Sequence, residues 1–260
     1  MPRLDKHHFQ TVRTDSAMRS YRYYDFLVAG MVTVLLCSNL IGPAKVAVAT
    51  LPLLGTFNYG AGNIFFPVSY IFGDILTEVY GYARARRAIW AGFGALIFAS
   101  FMAWTMLALP PSPTEPFNAE LQPAMEIAFG NTLRIILAGL FSYWLGDFVN
   151  SYVLAKLKLL TQGRYLWTRT VGSTLCGQAV DSVVFFPIAF YGVWTSDTMV
   201  TVVIANFVFK VAIEVLLTPV TYAVVGFLKR SENVDTYDIG TDFTPFSLRD
   251  DDGEQRIIRR

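Results

Sequence analysis

The chain has 260 residues, of which 53% are hydrophobic and only 16% are charged, and its formal net charge is +1. Ordinary soluble domains carry about 25% charged residues, so this composition excludes a typical soluble globular protein and favours an integral membrane protein. The near-neutral net charge points to no particular partner, and we expect no nucleic-acid ligand.

Six segments are long and apolar enough to predict transmembrane helices. In chain order they are 26–41, 64–80, 88–109, 135–154, 171–191 and 199–227. The shorter apolar stretch 46–57 contains Pro52 and Gly55, so we expect an extended or re-entrant connection there. The prediction is an all-α fold, an integral membrane bundle of six transmembrane helices that forms one domain over 23–228.

Basic residues alternate between the predicted loops. They are concentrated before the first span and after the second, fourth and sixth, for example at Arg19, Arg84, Lys158 and Lys229. Cytoplasmic loops carry the excess of Lys and Arg, so we expect both termini in the cytoplasm. Residues 1–22 are then a cytoplasmic arm. Residues 229–260 are a charged tail with few apolar residues, which we expect to be disordered.

Four of the spans each carry two polar or charged residues three or four positions apart. The pairs are Asp74 and Glu78, Asp147 and Asn150, Gln178 and Asp181, and Lys210 and Glu214. This spacing places both side chains of a pair on one face of a helix. Each ionisable group in a bilayer costs roughly 2.5–3.5 kcal/mol on insertion scales. We therefore expect these residues, with Asn39 near the outer end of the first span, to line a hydrated cavity that binds a polar solute.

Structural roles remain open for several of these residues. Lys210 and Glu214 could neutralise each other on their own helix. Glu78 lies close to the membrane surface, where it could pair with Arg84 or Arg86.

The amide side chains allow two interpretations as well. Asn39 and Asn150 could be hydrogen-bond partners between helices. Gln178 and Asp181 are predicted near the bilayer midplane with no basic residue in their own span, which favours a ligand-facing role.

A cavity rich in carboxylates and amides and poor in free cations disfavours phosphate. It suits a ligand that presents N–H groups to it.

The chain lacks the usual enzyme signatures. Its two histidines, His7 and His8, lie in the N-terminal arm, and no Walker loop is present. The run Leu145-Gly146-Asp147 matches only part of the Gly-x-Gly-Asp motif of intramembrane aspartyl proteases. We expect no enzyme activity, no cofactor and no metal.

The run from Phe66 to Arg87, which includes Thr77-Glu78-Val79-Tyr80-Gly81, resembles the signature of the queuosine precursor transporters, also called the vitamin uptake transporter family. Further matches are the segments 146–151 and 177–182, and Lys210 with Glu214. The resemblance covers most of the predicted membrane domain. It implies a six-helix importer of a 7-deazaguanine base, 7-cyano-7-deazaguanine or its aminomethyl relative, in the bacterial inner membrane.

On this hypothesis Asp181 and Gln178 bind the edge of the base, and Lys210 balances buried negative charge. The rest of the polar cavity is formed by Asp74, Glu78, Asp147, Asn150 and Glu214. Two alternatives stay open. One is a substrate-binding subunit of an ATP-driven importer, which needs an energising partner. The other is a proton-coupled carrier of another small polar solute. Assembly into a homo-oligomer is compatible with each of them.

Overall fold

The computed structural model describes residues 21–40, 46–51, 55–60, 64–130, 133–193, 195–248 and 256–257. Its helices are α1 (Tyr24–Leu40), α2 (Phe66–Tyr80), α3 (Tyr82–Ala108), α4 (Asn118–Phe129), α5 (Leu133–Leu160), α6 (Leu166–Phe190) and α7 (Ser196–Glu232). Two antiparallel strand pairs accompany them: β1 (Val46–Leu51) with β2 (Gly55–Gly60), and β3 (Thr236–Tyr237) with β4 (Arg256–Ile257). The predicted helical class is confirmed, and the described residues 46–51 and 55–57 of the predicted connection take the extended form.

Three helices are long and apolar enough to cross a membrane, namely α3, α6 and the Met199–Glu232 part of α7. Helices α4 and α5 make a fourth candidate if they form one span with a 43° bend. With 17 and 15 residues, α1 and α2 are only about 25 and 22 Å long, shorter than the roughly 30 Å hydrocarbon core. The described part of the chain thus has three or four candidate membrane spans, while the count of six spans stays a prediction.

Several helix ends differ from the predicted spans. Helix α3 begins at Tyr82 rather than near residue 88, so Arg84 and Arg86 lie in its first two turns instead of in a loop. The break before it is at Gly81, whose φ of 88° lies in the left-handed region that glycine tolerates. Helix α4 was not predicted, because Pro123 interrupts its short apolar pattern.

Helix α2 forms the centre of the bundle. It contacts α1, α3, α5 and α7, and Tyr70, Leu76 and Val79 on it are completely buried. Large apolar side chains point outward on the surrounding helices, for example Phe98 and Trp104 on α3. An apolar outer surface around a polar-containing core is the arrangement expected in lipid.

The chain after α7 packs against the bundle, which corrects the expectation of a disordered tail for residues 229–248. Asp238 accepts hydrogen bonds from the backbone N–H of Tyr82 at 3.0 and 3.1 Å, and from the Thr241 hydroxyl at 3.1 Å. This carboxylate therefore caps the start of α3 from a distant part of the chain. Burial raises the pKa of Asp238, and the two hydrogen bonds oppose that rise.

We call residues 233–248 the C-terminal strap. Arg86 donates to the carbonyl oxygens of Asp242 and Thr244, and Trp90 donates to that of Pro245 at 2.7 Å. These bonds hold the strap without a large apolar core, which is why a count of apolar residues missed it. Of the predicted arm 1–22, residues 1–20 lie outside the described part of the chain, as do 249–255 and 258–260 of the tail.

The closest helix pairing is that of α5 with α6, and glycines stand where the two backbones meet. A Cβ atom on Gly177 would lie 2.8 Å from the Cβ of Asn150 and 2.9 Å from the carbonyl oxygen of Gly146. A Cβ on Gly146 would lie 3.1 Å from that of Asp181. Small residues at such a crossing let helices approach closely in a membrane, and here they bring two polar faces together.

We expect Gly177→Ala to destabilise the protein by about 1–3 kcal/mol, because the added methyl group would overpack the crossing. Gly139→Ala on α5 is the matched control, since a Cβ there meets nothing within 4 Å, and it should be neutral or slightly stabilising. The midpoint of unfolding in detergent measures both effects. Equal midpoints for the two variants would contradict this account of the crossing.

Candidate functional site

Four helices bring the predicted polar residues together. Helix α2 carries Asp74, α5 carries Asp147 and Asn150, α6 carries Gln178 and Asp181, and α7 carries Lys210 and Glu214. All seven side chains are buried, and none of these residues is more than 7% exposed. The contacts among them divide into two pairs and a group of atoms without partners.

The first pair joins α6 to α7. The Lys210 Nζ donates to Asp181 Oδ2 at 2.6 Å. It also lies 4.3 Å from the ring centroid of Phe66, which favours a cation. The alternative in which Lys210 neutralises Glu214 on its own helix is therefore wrong, because the ion pair crosses between helices.

The second pair joins α2 to α5. The Asn150 Nδ2 donates to Asp74 Oδ1 at 2.7 Å. The carboxyl group of Glu214 on α7 lies close to that of Asp74, and it accepts a short hydrogen bond from the Thr174 hydroxyl. Two neighbouring buried carboxyl groups repel each other when both are ionised, so this part of the site is suited to holding a proton.

Between these pairs lie buried polar atoms that have no hydrogen-bond partner among the described residues. They are both oxygens of Asp147, both polar atoms of the Gln178 amide, Asn150 Oδ1, the Tyr70 hydroxyl and the Ser182 hydroxyl. Buried polar atoms are normally satisfied, so a group of unpartnered ones needs an explanation. Together they offer acceptors and donors from three helices to a polar ligand.

Glu78 lies in a separate cluster towards the end of α2. Arg169 binds its carboxylate through two parallel hydrogen bonds, each 2.8 Å long, and Lys229 binds the same carboxylate. The Lys158 Nζ donates to the backbone carbonyl of Glu78 at 2.6 Å and to Asp235 at 2.8 Å. We therefore interpret Glu78 as a structural anchor between helices.

The partners of Glu78 differ from the two considered in the sequence. It pairs with basic residues, as one interpretation held, but they come from α5, α6 and α7 and not from Arg84 or Arg86.

Asn39 also lies apart from the polar group. Its amide donates to the Leu35 carbonyl on its own helix, and it lines an apolar crevice of about 330 Å³.

Comparison with known proteins decides the family. Residues 60–224 match the family model described as "Putative vitamin uptake transporter". The chain belongs to this family. The family is one of transporters, which confirms the expectation that the chain is not an enzyme, and the apolar helices agree with a multi-pass membrane protein.

Two known transporters are similar in sequence to this chain. The "Probable queuosine precursor transporter" of Bacillus subtilis (strain 168) is 29% identical over 208 residues, which cover 80% of this chain and 86% of the relative. The "Queuosine precursor transporter" of Escherichia coli (strain K12) is 25% identical over 167 residues, 63% of this chain and 71% of the relative. No solved structure matches the chain.

Sequence reasoning missed some polar members of the candidate site. Tyr70 lies four residues before Asp74, and Thr174 lies four residues before Gln178. Both obey the same-face spacing that revealed the four pairs. The sequence prediction considered only amide and charged side chains. The same spacing rule, applied to hydroxyl side chains, identifies both residues.

We expect Asp181→Asn and Lys210→Met to destabilise the transporter strongly as single variants. Leaving one partner of a buried ion pair charged costs about 3–5 kcal/mol, whereas replacing both partners is much less costly. The double variant should therefore unfold closer to wild type than either single one. Unfolding in detergent, analysed as a double-mutant cycle, measures the coupling, and additive losses would contradict the pair.

Proposed function

We propose that this protein is a six-span transporter of the bacterial inner membrane that takes up a queuosine precursor, a 7-deazaguanine base. The observation that carries the proposal is the group of buried, unpartnered polar atoms at the α5–α6 crossing, with Asp147 and Gln178 at its centre. The names of the two relatives support the substrate class. The 7-cyano and 7-aminomethyl bases are the candidate substrates.

The chemistry of the free atoms matches the edge of such a base. A carboxylate with both oxygens available accepts two parallel N–H bonds, as the N1–H and 2-amino groups of a guanine-type base would donate. Asp147 has both oxygens without a partner, whereas Asp181 Oδ2 is held by Lys210. We therefore propose that Asp147, rather than Asp181, accepts the N–H groups of the base. Asp181 then acts as a positioning residue.

The amides complete the proposed set of contacts. Gln178 can donate from Nε2 to the carbonyl oxygen of the base and accept through Oε1, since neither atom has a partner. Asn150 is held by Asp74 through its Nδ2 and leaves Oδ1 as an acceptor. Bases that lack the 2-amino group should bind more weakly, because one Asp147 oxygen would remain unpaired.

The gathering of basic side chains at one end of the bundle supports the proposed orientation. Arg86, Lys158, Arg169 and Lys229 all contact the C-terminal strap or the neighbouring Glu78 cluster. Arg134 is an exception, since it donates to the Ile188 and Tyr191 carbonyls at the other end. The excess of basic side chains at one end of the bundle favours a cytoplasmic location for that end. In this proposal the membrane domain spans residues 23–228.

The proposed function is tested by measuring whether expression of this chain restores queuosine in tRNA. In bacteria that can neither synthesise nor import the precursor, expression of this chain with nanomolar amounts of each 7-deazaguanine should produce the shift of queuosine-containing tRNA on a boronate gel. No restoration with either base, despite membrane insertion, would contradict the substrate. Restoration only with an added ATP-driven partner would identify the chain as a binding subunit.

We expect Asp147→Asn to reduce uptake at least about tenfold, because an amide can accept only one of the two N–H bonds and its NH₂ group would face a donor. Asp197→Asn removes the same charge from an exposed position at the start of α7 and should leave uptake unchanged. Initial rates with labelled base, normalised to inserted protein, give the comparison. Normal uptake by Asp147→Asn would remove this residue from the site.

A proton-coupled carrier of another small polar solute is the second candidate, and the proximity of the Asp74 and Glu214 carboxyl groups favours it. A proton held between two carboxyl groups in a buried site can be exchanged as the site opens to either side. Coupling predicts that collapse of the proton gradient by a protonophore stops accumulation, and that Asp74→Asn allows exchange but not accumulation. Accumulation that ignores the gradient would exclude this mechanism.

A further inference from the structure

A second cavity lies outside the polar site, at the end of the bundle where α2 and α7 end and α6 begins. Its volume is about 500 Å³, within the range of small-ligand sites. Three basic side chains line it, those of Arg169, Lys229 and Arg230. The turn at Gly163 and the first residues of the strap close its sides.

The charges around this cavity do not balance. The charged side chains that line it are Arg169, Lys229 and Arg230, which supply three positive charges, and the carboxylates of Glu78 and Asp235. Two of the cations neutralise the two anions, so one positive charge is left over. The start of α6 adds the positive end of a helix dipole beside Leu166.

Arg230 is the side chain that carries this surplus. It is exposed at the cavity rim, and in the described part of the chain its guanidinium makes no ion pair or hydrogen bond. Lys229 beside it already pairs with Glu78 and Asp235 and also offsets the dipole at the end of α7. A guanidinium with five free donors, held at the mouth of a positive cavity, is suited to a phosphate group.

The surroundings of the cavity fit the membrane surface. Tyr222 on its wall is 41% exposed, and its hydroxyl oxygen accepts from the backbone N–H of Trp167, itself 55% exposed. Exposed Trp and Tyr side chains near a helix end are typical of the headgroup region. Basic pockets between helices at this depth bind anionic lipid headgroups.

We propose that this cavity binds a phosphate-bearing anion at the membrane surface, with Arg230 as the principal contact and Lys229 and Arg169 as its electrostatic support. The phosphate group is supplied by the headgroup of an anionic phospholipid or by a soluble phosphate compound. The site is separate from the polar group at the α5–α6 crossing, so it adds a regulatory or anchoring ligand to the transporter and does not depend on the identity of the transported solute.

Thermal unfolding of the full chain in neutral detergent, followed by tryptophan fluorescence, tests the site. The probes are phosphatidylglycerol, phosphatidylcholine as a zwitterionic control, and inorganic phosphate. We expect a saturable rise in Tm with an anionic probe that weakens with salt. Arg230→Gln should raise the half-saturating concentration about tenfold, because one charge-assisted contact is lost. This substitution leaves the ion pairs of Glu78 and Asp235 with Lys229 intact, so folding should be kept.

Arg87→Gln is the matched control, since it removes the same charge from an exposed arginine on α3 that does not line the cavity. It should leave the half-saturating concentration unchanged. A response to phosphatidylglycerol alone assigns the site to a lipid headgroup, and a response to inorganic phosphate assigns it to a soluble anion. No saturable response to either, or the same response in Arg230→Gln as in wild type, would overturn the proposal. Because transport is not measured, this result is independent of the uptake experiment.

Discussion

The close approach of α5 and α6 is the constraint on which the rest of the polar site depends. Gly146 and Gly177 leave no room for a side chain where the two backbones meet. Each glycine directly precedes a polar residue, Asp147 on α5 and Gln178 on α6. The same two positions that permit the crossing therefore place a carboxylate and an amide at its centre, and a change in packing would also change the spacing of these unpartnered polar atoms.

The buried carboxylates of this bundle are of two kinds, those paired with basic side chains and those without such a partner. Glu78 is surrounded by Arg169, Lys158 and Lys229, and Asp181 is held by Lys210. These carboxylates are paired with basic side chains of other helices, and the pairs tie the helices together. Asp147 keeps both oxygens free although it is equally buried. Because an unpaired buried carboxylate is expensive, Asp147 is the carboxylate to which the proposed base would donate.

The end of the bundle with the basic residues has its own organisation. Asp238 caps α3, Arg86 and Trp90 hold the strap through its carbonyl oxygens, and Asp235 joins Lys158 to Lys229. Helices α3, α5 and α7 are thereby connected by a segment that follows the last helix. The same arrangement shapes the positive cavity beside Arg230, so the strap contributes both to holding the helices together and to a second binding surface.

The sequence by itself determined the membrane character, the helical class and the polar faces. Those features depend on composition and on spacings of three and four residues along one helix, which are local properties. It also indicated the family through the run around Thr77-Glu78-Val79. The side chains that this spacing grouped are buried, while their role in binding stays a prediction; they are those of Asp74, Asp147, Asn150, Gln178, Asp181, Lys210 and Glu214.

Only the tertiary structure decided which of these groups meet. Lys210 pairs with Asp181 instead of Glu214, Glu78 pairs with Arg169 instead of Arg84, and Asn39 lies apart. Such choices depend on how each helix is rotated and how far it is shifted against its neighbours, and a shift of one turn moves a side chain by about 5.4 Å. No periodicity within one segment records that shift. Packing between helices sets it, through contacts such as the one at Gly146 and Gly177.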